Sequence, residues 1–94
     1  MPDVLAIARA EALFVSSVQS SELPAAVEVR RAVAESFARF GSRGCAACVA
    51  GEFGDHPEVA VARMRWALAM VSAVYQRRRQ PARAFTLTGA ACAR

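Results

Sequence analysis

Apolar residues recur along this chain at intervals of three and four positions, which places them on one face of an α-helix. The alternation of apolar and polar residues that indicates β-strands is scarce. Alanine is abundant and favours helix in the segments between. The pattern therefore predicts an all-α domain, with four helices at residues 3–18, 24–40, 44–53 and 57–79.

Glycine and proline mark the predicted helix ends. Gly41 and Gly54 each follow an apolar run, and a glycine in the left-handed conformation commonly closes a helix. Pro81 would end the fourth helix, because proline cannot continue the backbone hydrogen bonding. We expect a single helical domain over residues 1–81 and a loose C-terminal tail over residues 82–94.

The second to fourth predicted helices have the residue pattern of a helix-turn-helix unit. Ala50 would be the small residue at the helix crossing, and Gly54, four positions later, would form the turn. Ala60 and Met64 would anchor the next helix to the core. The predicted fold is thus an all-α, four-helix single domain with a helix-turn-helix-like unit in helices 2–4.

The stretch VAGEFGDHPEVAVARMRW, at residues 49–66, resembles the bihelical element of bacterial regulators and of sigma-factor DNA-binding regions. Asp55 departs from that pattern, in which a buried aliphatic residue usually follows the glycine. Ala60 is also smaller than the usual valine or isoleucine. The resemblance implies a small DNA-binding, transcription-associated regulator.

Two longer stretches are similar to a set of small actinobacterial proteins of unassigned function. They are ALFVSSVQSSELP and GCAACVAGEFGDHPEVAVARMRWAL. The similarity covers roughly residues 12–70, and FGDHPE and RMRWA are its most specific parts. It implies a stand-alone helical domain in a cytoplasm. It brings no catalytic residue to this chain.

The net charge of +4 is unevenly placed, because residues 1–41 carry −1 and residues 42–94 carry +5. A basic C-terminal half attracts polyanions such as DNA. However, Asp55 and Glu58 lie where a phosphate would approach the fourth helix and would repel it. The candidates for contact with nucleic acid are Arg43, Arg63, Arg65, Arg77, Arg78 and Arg79.

The rival interpretation is a non-enzymatic module that binds a protein partner through an apolar helical face. The fourth predicted helix is apolar over more of its circumference than one neighbour can cover. Its flanking strip supplies the candidate interface residues Val59, Trp66 and Met70, although the first helix would also cover such a strip. In either interpretation we expect a homodimer.

Cys45 and Cys48 form a C-x-x-C pair, for which only His56 and Cys92 remain as further zinc ligands. Two small buried side chains on a helix explain the pair more simply. No arrangement of residues indicates a nucleophile or a phosphate-binding loop, so we predict no enzyme, metal or cofactor. No apolar run is long enough to span a membrane, and the N-terminus lacks the pattern of a signal peptide, which predicts a cytoplasmic protein.

Overall fold

The computed structural model describes residues 3–76, and the helices α1, α2 and α3 form most of this part of the chain. A 3₁₀ turn at Ser20–Glu22 lies between α1 and α2, and a π-helical turn at Ser72–Gln76 continues α3. No strand occurs within residues 3–76, which confirms the all-α prediction. The helices span α1 Val4–Val15, α2 Ala26–Asp55 and α3 Pro57–Val71.

The structure has three helices instead of the predicted four, because the predicted second and third helices adjoin at Gly41 without a loop and together make up α2. Gly41 has φ 70° and ψ 170°, a conformation that is essentially restricted to glycine and is not helical. The 30 residues of α2 are therefore two helical segments that meet at a kink. The bend also brings Phe40 so close to Gly44 that a Cβ atom there would lie 2.9 Å from the Phe40 Cβ.

Gly54 does not close a helix in the left-handed conformation, because Gly41 is the one glycine of residues 3–76 with positive φ. α2 instead continues to Asp55, and His56 alone separates it from α3. The His56 N–H donates to the Glu52 carbonyl at 2.7 Å, and Pro57 begins α3. Ala50 and Gly54 are both exposed, so they do not form the close helix crossing expected of a helix-turn-helix unit.

The core lies where α1 packs against both α2 and α3. Many of its side chains are alanine or valine, and such small residues let helix backbones approach closely. Leu13, Val29 and Cys45 are the largest of its fully buried side chains. The buried apolar residues are Ala10, Ala12, Leu13, Phe14, Val29, Ala32, Val33, Cys45, Val49, Ala60, Ala67, Val71 and Val74.

Helical spacing in the sequence predicts that the last helix turns Ala60, Met64, Ala67, Leu68, Val71, Val74 and Tyr75 inward. This face is confirmed, since Ala60, Ala67, Val71 and Val74 are buried and the other three are partly buried against the core. The same spacing predicts an inward stripe of Val4, Ile7, Phe14, Val15 and Val18 in the first helix. This stripe is only half right: Phe14 is buried and Val15 and Val18 are partly buried, but Val4 is 85% exposed and Ile7 is 44% exposed. None of the helices in residues 3–76 combines the length and the hydropathy that crossing a lipid bilayer requires. The predicted domain boundary at residue 81 lies outside the described residues.

Candidate functional site

Arg63, in the first half of α3, reaches across to the end of α1. Its Nε donates to the Phe14 carbonyl at 2.7 Å. Its Nη2 donates to the carbonyls of Ser16 at 3.0 Å and Val18 at 2.8 Å, with a longer contact of 3.4 Å to Leu13. The guanidinium thus binds carbonyls at the end of α1 and in the residues just after it, where helices leave carbonyls without helical donors. The Leu13 carbonyl also accepts from the Ser16 N–H and hydroxyl.

Aromatic rings pack against this guanidinium. Its Cζ lies 5.8 Å from the Phe14 ring centroid and 5.0 Å from that of Trp66. Burial lowers the pKa of Arg63 from its ordinary value, but an arginine remains charged at physiological pH. A cation at this place also complements the negative end of the α1 dipole. Arg63 therefore fastens α3 to α1, because its Nε and Nη2 donate to carbonyls at and after the end of α1.

A groove opens on the surface beside Arg63, where the end of α1 meets α2 and α3. One half has a volume of about 280 Å³, with Phe14, Phe40, Val59 and Ala60 among its lining residues. The other half has a volume of about 450 Å³ and is lined by Gln19, Ser20, Glu58, Val59, Ala62 and Arg63. Val59 and Arg63 belong to both halves, and we call the two together the junction groove.

Large apolar side chains in and beside the junction groove remain in contact with solvent. Val59 is 66% exposed and Phe40 is 41% exposed. Phe53 is 36% exposed and stacks on the buried Phe14, with ring centroids 6.2 Å apart. Exposed apolar side chains that cluster around a concave surface are typical of binding sites, whereas single ones are common on any protein.

The charged side chains that line the junction groove, apart from Arg63, are acidic. Glu52 lines the first half and Glu58 lines the second. The Glu52 Oε1 lies 3.5 Å from the His56 Nδ1, and both side chains are largely exposed. With the positive charge of Arg63, which lines both halves, the charged lining of the groove is two carboxylates and one guanidinium group.

The structure separates the arginines that the sequence grouped together as nucleic-acid candidates. Arg43 and Arg65 are exposed, whereas Arg63 is partly buried at the end of α1. Arg77, Arg78 and Arg79 lie outside the described residues. Residues 3–76 contain all eight acidic residues but only seven of the twelve arginines, so this helical body has a net charge of −1. The positive charge of the chain therefore comes from residues 77–94.

The three candidate interface residues also have different environments. Val59 is highly exposed, but Trp66 and Met70 are partly buried and pack against the core. Phe40 lines the groove, although its helical spacing from Val29, Val33 and Phe37 in the sequence predicts that it faces inward with them. The signal that would have identified Phe40 is its position immediately before Gly41, where the helix bends.

The cysteine pair is divided between the core and the surface. Cys45 is fully buried, and its Sγ donates to the Ser36 carbonyl at 3.7 Å, across the bend in α2. Burial, with smaller contributions from Cys48 and Glu11, raises the pKa of the Cys45 thiol. Cys48 is exposed and lines the junction groove. Within residues 3–76 no group of three or more His, Cys, Asp or Glu side chains is placed to hold a metal ion, and Cys92 lies outside this range.

A second groove, of about 550 Å³, lies between the loop after α1 and the first half of α2. Acidic and basic side chains alternate along its α2 wall, in the order Glu28, Arg31, Glu35 and Arg39, and Glu22 lines it as well. With three carboxylates and two guanidinium groups, its charged lining has a net charge of −1, the same as the lining of the junction groove.

No protein family, no curated protein and no solved structure matches this chain. The resemblances to bacterial regulators and to small actinobacterial proteins therefore stay predictions.

Proposed function

We propose that this protein is an interaction module that binds an apolar helical segment of a protein partner in the junction groove. The observation that carries the proposal is the exposed apolar surface formed by Val59 and Phe40 over the buried Phe14 and Ala60. A helix that lays its apolar face into such a groove is a recurring mode of peptide recognition.

Rigid support of the groove strengthens this interpretation. Arg63 ties α1 to α3 through four carbonyl contacts, and Phe53 stacks on Phe14 at the floor. A preformed site loses less conformational entropy when a partner binds. Phenylalanine is also among the residue types enriched at protein interfaces, and Phe40 and Phe53 are both partly exposed here.

DNA binding is the competing function, and the charges of the helical body support it less. Glu52 and Glu58 line the groove, and residues 3–76 carry a net charge of −1. Arg63, one of its six candidate residues, donates its hydrogen bonds within the protein. A DNA-binding function would therefore depend on Arg43, Arg65 and residues 77–79.

A labelled peptide tests the proposal. A peptide of about 18 residues, with leucine at helical spacing and glutamine elsewhere, forms a neutral amphipathic helix long enough to be stable when bound. Its fluorescence anisotropy is titrated against the full chain and against Val59→Asp and Val61→Asp. Val61 is the matched control, because it is 39% exposed on the same helix but does not line the junction groove.

We expect Val59→Asp to weaken peptide binding by about tenfold or more, because a carboxylate would be desolvated against the apolar anchor. Val61→Asp should bind as the unchanged protein does. Equal binding by the two variants contradicts the proposal. Retention of random duplex DNA at low salt, lost in Arg43→Gln and Arg65→Gln, would support the DNA-binding function instead.

The same variants also test the expected homodimer. If a second copy occupies the junction groove, the unchanged protein should sediment as a dimer and Val59→Asp as a monomer. A dimer that persists in Val59→Asp places the contact between copies elsewhere and leaves the groove open to the peptide.

A further inference from the structure

We infer that this protein forms a homodimer in which the first segment of α2, residues 26–40, packs antiparallel against the same segment of a second copy. The observation behind it is the order of four charged side chains along the exposed face of this segment, Glu28, Arg31, Glu35 and Arg39. None of the four lines the junction groove, so the inference does not depend on the proposed function.

The order of these charges is self-complementary in the antiparallel direction. Along the chain the charges run acid, base, acid, base, and in the reverse direction they run base, acid, base, acid. A second copy laid antiparallel therefore places its Arg39 opposite Glu28 and its Glu35 opposite Arg31, and twofold symmetry forms each contact twice. A parallel copy in the same register would instead place every charge opposite its own kind, which is unfavourable.

The helix geometry lets these contacts form together. Spacings of three, four and four residues keep the four side chains within about 80° of one another around the helix axis. The pair of Glu28 and Arg39 and the pair of Arg31 and Glu35 are both centred near residue 33, so one twofold axis serves both. Val27, which is 55% exposed, lies at the edge of the same face and would approach the exposed Ala38 position of the other copy.

The charges on this face are available to a second copy. Within residues 3–76 no ion pair involves any of the four residues. The Arg39 Cζ lies 5.2 Å from the Phe40 ring centroid, and one Glu28 oxygen accepts from the Ala25 N–H at the start of α2. Neither contact supplies a charge of opposite sign, so the described part of the chain leaves the four charges without counter-charges.

The order of the charges, and not their sum, selects the partner. Glu22 also lines this groove and brings the net charge of its lining to −1. However, the Glu22 carboxylate accepts from the Gln19 N–H at 3.0 Å within the 3₁₀ turn, and it is not part of α2. The helix face itself carries two acids and two bases, so it fits a surface with the matching order of charges. A second copy supplies that order by symmetry.

The size of the contact sets the strength of association. A segment of 15 residues is about 22 Å long, and a contact between two such segments is small among the interfaces of stable dimers. We therefore expect a weak dimer, with a dissociation constant in roughly the micromolar range at low salt. Sedimentation velocity of the full chain over a series of concentrations measures it.

Charge reversal at one position tests the contact. In Arg31→Glu, or in Glu35→Arg, like charges face each other at both symmetric contacts, so we expect the dissociation constant to rise about tenfold or more at low salt. Added salt should reduce the difference, because it screens exposed charges. Asp55→Arg is the matched control, since it makes the same change of charge as Glu35→Arg at the exposed far end of α2 and should leave the dissociation constant unchanged.

A mixture of the two reversed variants is the decisive measurement. One chain then carries glutamate at positions 31 and 35 and the other carries arginine at both, so each contact of a mixed dimer again joins opposite charges. We expect an equimolar mixture to associate at least as tightly as the unchanged protein, although each variant alone does not. Pairing of charges within a single helix cannot produce this recovery. An unchanged protein that stays monomeric at about 1 mM, a dimer that Arg31→Glu does not weaken, or a mixture without recovery overturns the inference.

Discussion

The end of α1 and the bend in α2 both interrupt a helix, but different interactions stabilise them. α1 ends at Val15 without a glycine, and Ser16 is extended with ψ 171°. Its terminal carbonyls accept hydrogen bonds from Arg63, a residue 45 to 50 positions away along the chain. α2 bends at Gly41 because that residue alone adopts φ 70° and ψ 170°. One interruption depends on a tertiary contact and the other on local backbone freedom.

This difference explains how the shape of the junction groove arises. The bend in α2 places Phe40 on one side of the groove, and the Arg63 contacts hold Val59 and Ala60 of α3 on the other. A substitution at the end of α1 should therefore act through the packing of helices, whereas one at the bend should act through the backbone. Each expectation can be tested by comparing matched variants.

The largest effect is expected from Arg63→Met. Methionine retains an unbranched apolar chain against Phe14 and Trp66 but removes the donors that bind the carbonyls of Phe14, Ser16 and Val18. We expect a loss of about 3 kcal/mol in the free energy of unfolding, because partly buried acceptors of charge-assisted hydrogen bonds become unsatisfied. Urea denaturation followed by circular dichroism measures it. Arg65→Met, two residues on and exposed, should change stability by about 0.5 kcal/mol or less, and an equal loss in both variants would contradict the role given to Arg63.

A smaller loss is expected from Gly41→Ala. An added Cβ at Gly41 meets no atom within 4 Å, so any effect comes from the conformation and not from a clash. We expect a loss of about 2 kcal/mol, since L-amino acids rarely adopt positive φ with extended ψ. The same denaturation measurement applies. A variant as stable as the unchanged protein would show that α2 does not need the bend.

Gly54→Ala should have the opposite sign. Gly54 lies in the last turn of α2 with ordinary helical backbone, and a Cβ there also meets nothing within 4 Å. Alanine should therefore stabilise the protein by about 0.5 kcal/mol, because it loses less backbone entropy on folding than glycine does. Gly51→Ala, one turn earlier in the same open environment, should act in the same direction. Destabilisation by Gly54→Ala would instead indicate the left-handed helix end expected from the sequence.

The smallest effect on stability is expected from the Cys45 thiol, whose hydrogen bond to the Ser36 carbonyl spans the bend in α2. Because burial raises the pKa of Cys45 above its ordinary value of 9.0, the folded protein holds this proton more tightly than the unfolded chain. The contribution to stability is complete below pH 9 and decreases as the pH rises through the raised value. Urea denaturation at increasing alkaline pH should show a steeper decline for the unchanged protein than for Cys45→Ala. Cys48→Ala, at the exposed cysteine, should retain most of the decline, and identical slopes in all three proteins would contradict this account.

Some of these features were predictable from residue spacing. The inward face of α3, with Ala60, Ala67, Val71 and Val74, follows from helical periodicity, and the structure buries it. The interruption at Gly41 was also predicted at the correct residue. What spacing did not predict is that α2 continues beyond it, because a glycine with positive φ is compatible both with a helix end and with a bend.

The junction groove was less predictable. Val59 was a candidate interface residue and remains exposed, but Phe40 was expected in the core and Arg63 was expected to face nucleic acid. Periodicity places a side chain on a helix face and does not tell which neighbour that face meets. Phe40 becomes part of a groove wall only because α2 bends after it, and Arg63 meets the carbonyls of α1 only because α3 packs across that helix end.

The sequence by itself determined the all-α class, the apolar face of α3 and the position of the bend, because each depends on residues within a few turns of one another. The tertiary structure alone decided that the two segments of α2 meet at a kink without a loop, that Arg63 binds carbonyls at and after the end of α1, and that Val59 and Arg63 line the same groove as Glu52 and Glu58. The physical reason is the distance along the chain over which each interaction acts. Helix propensity and backbone conformation are local, whereas a guanidinium and its carbonyl acceptors meet only after the chain has folded.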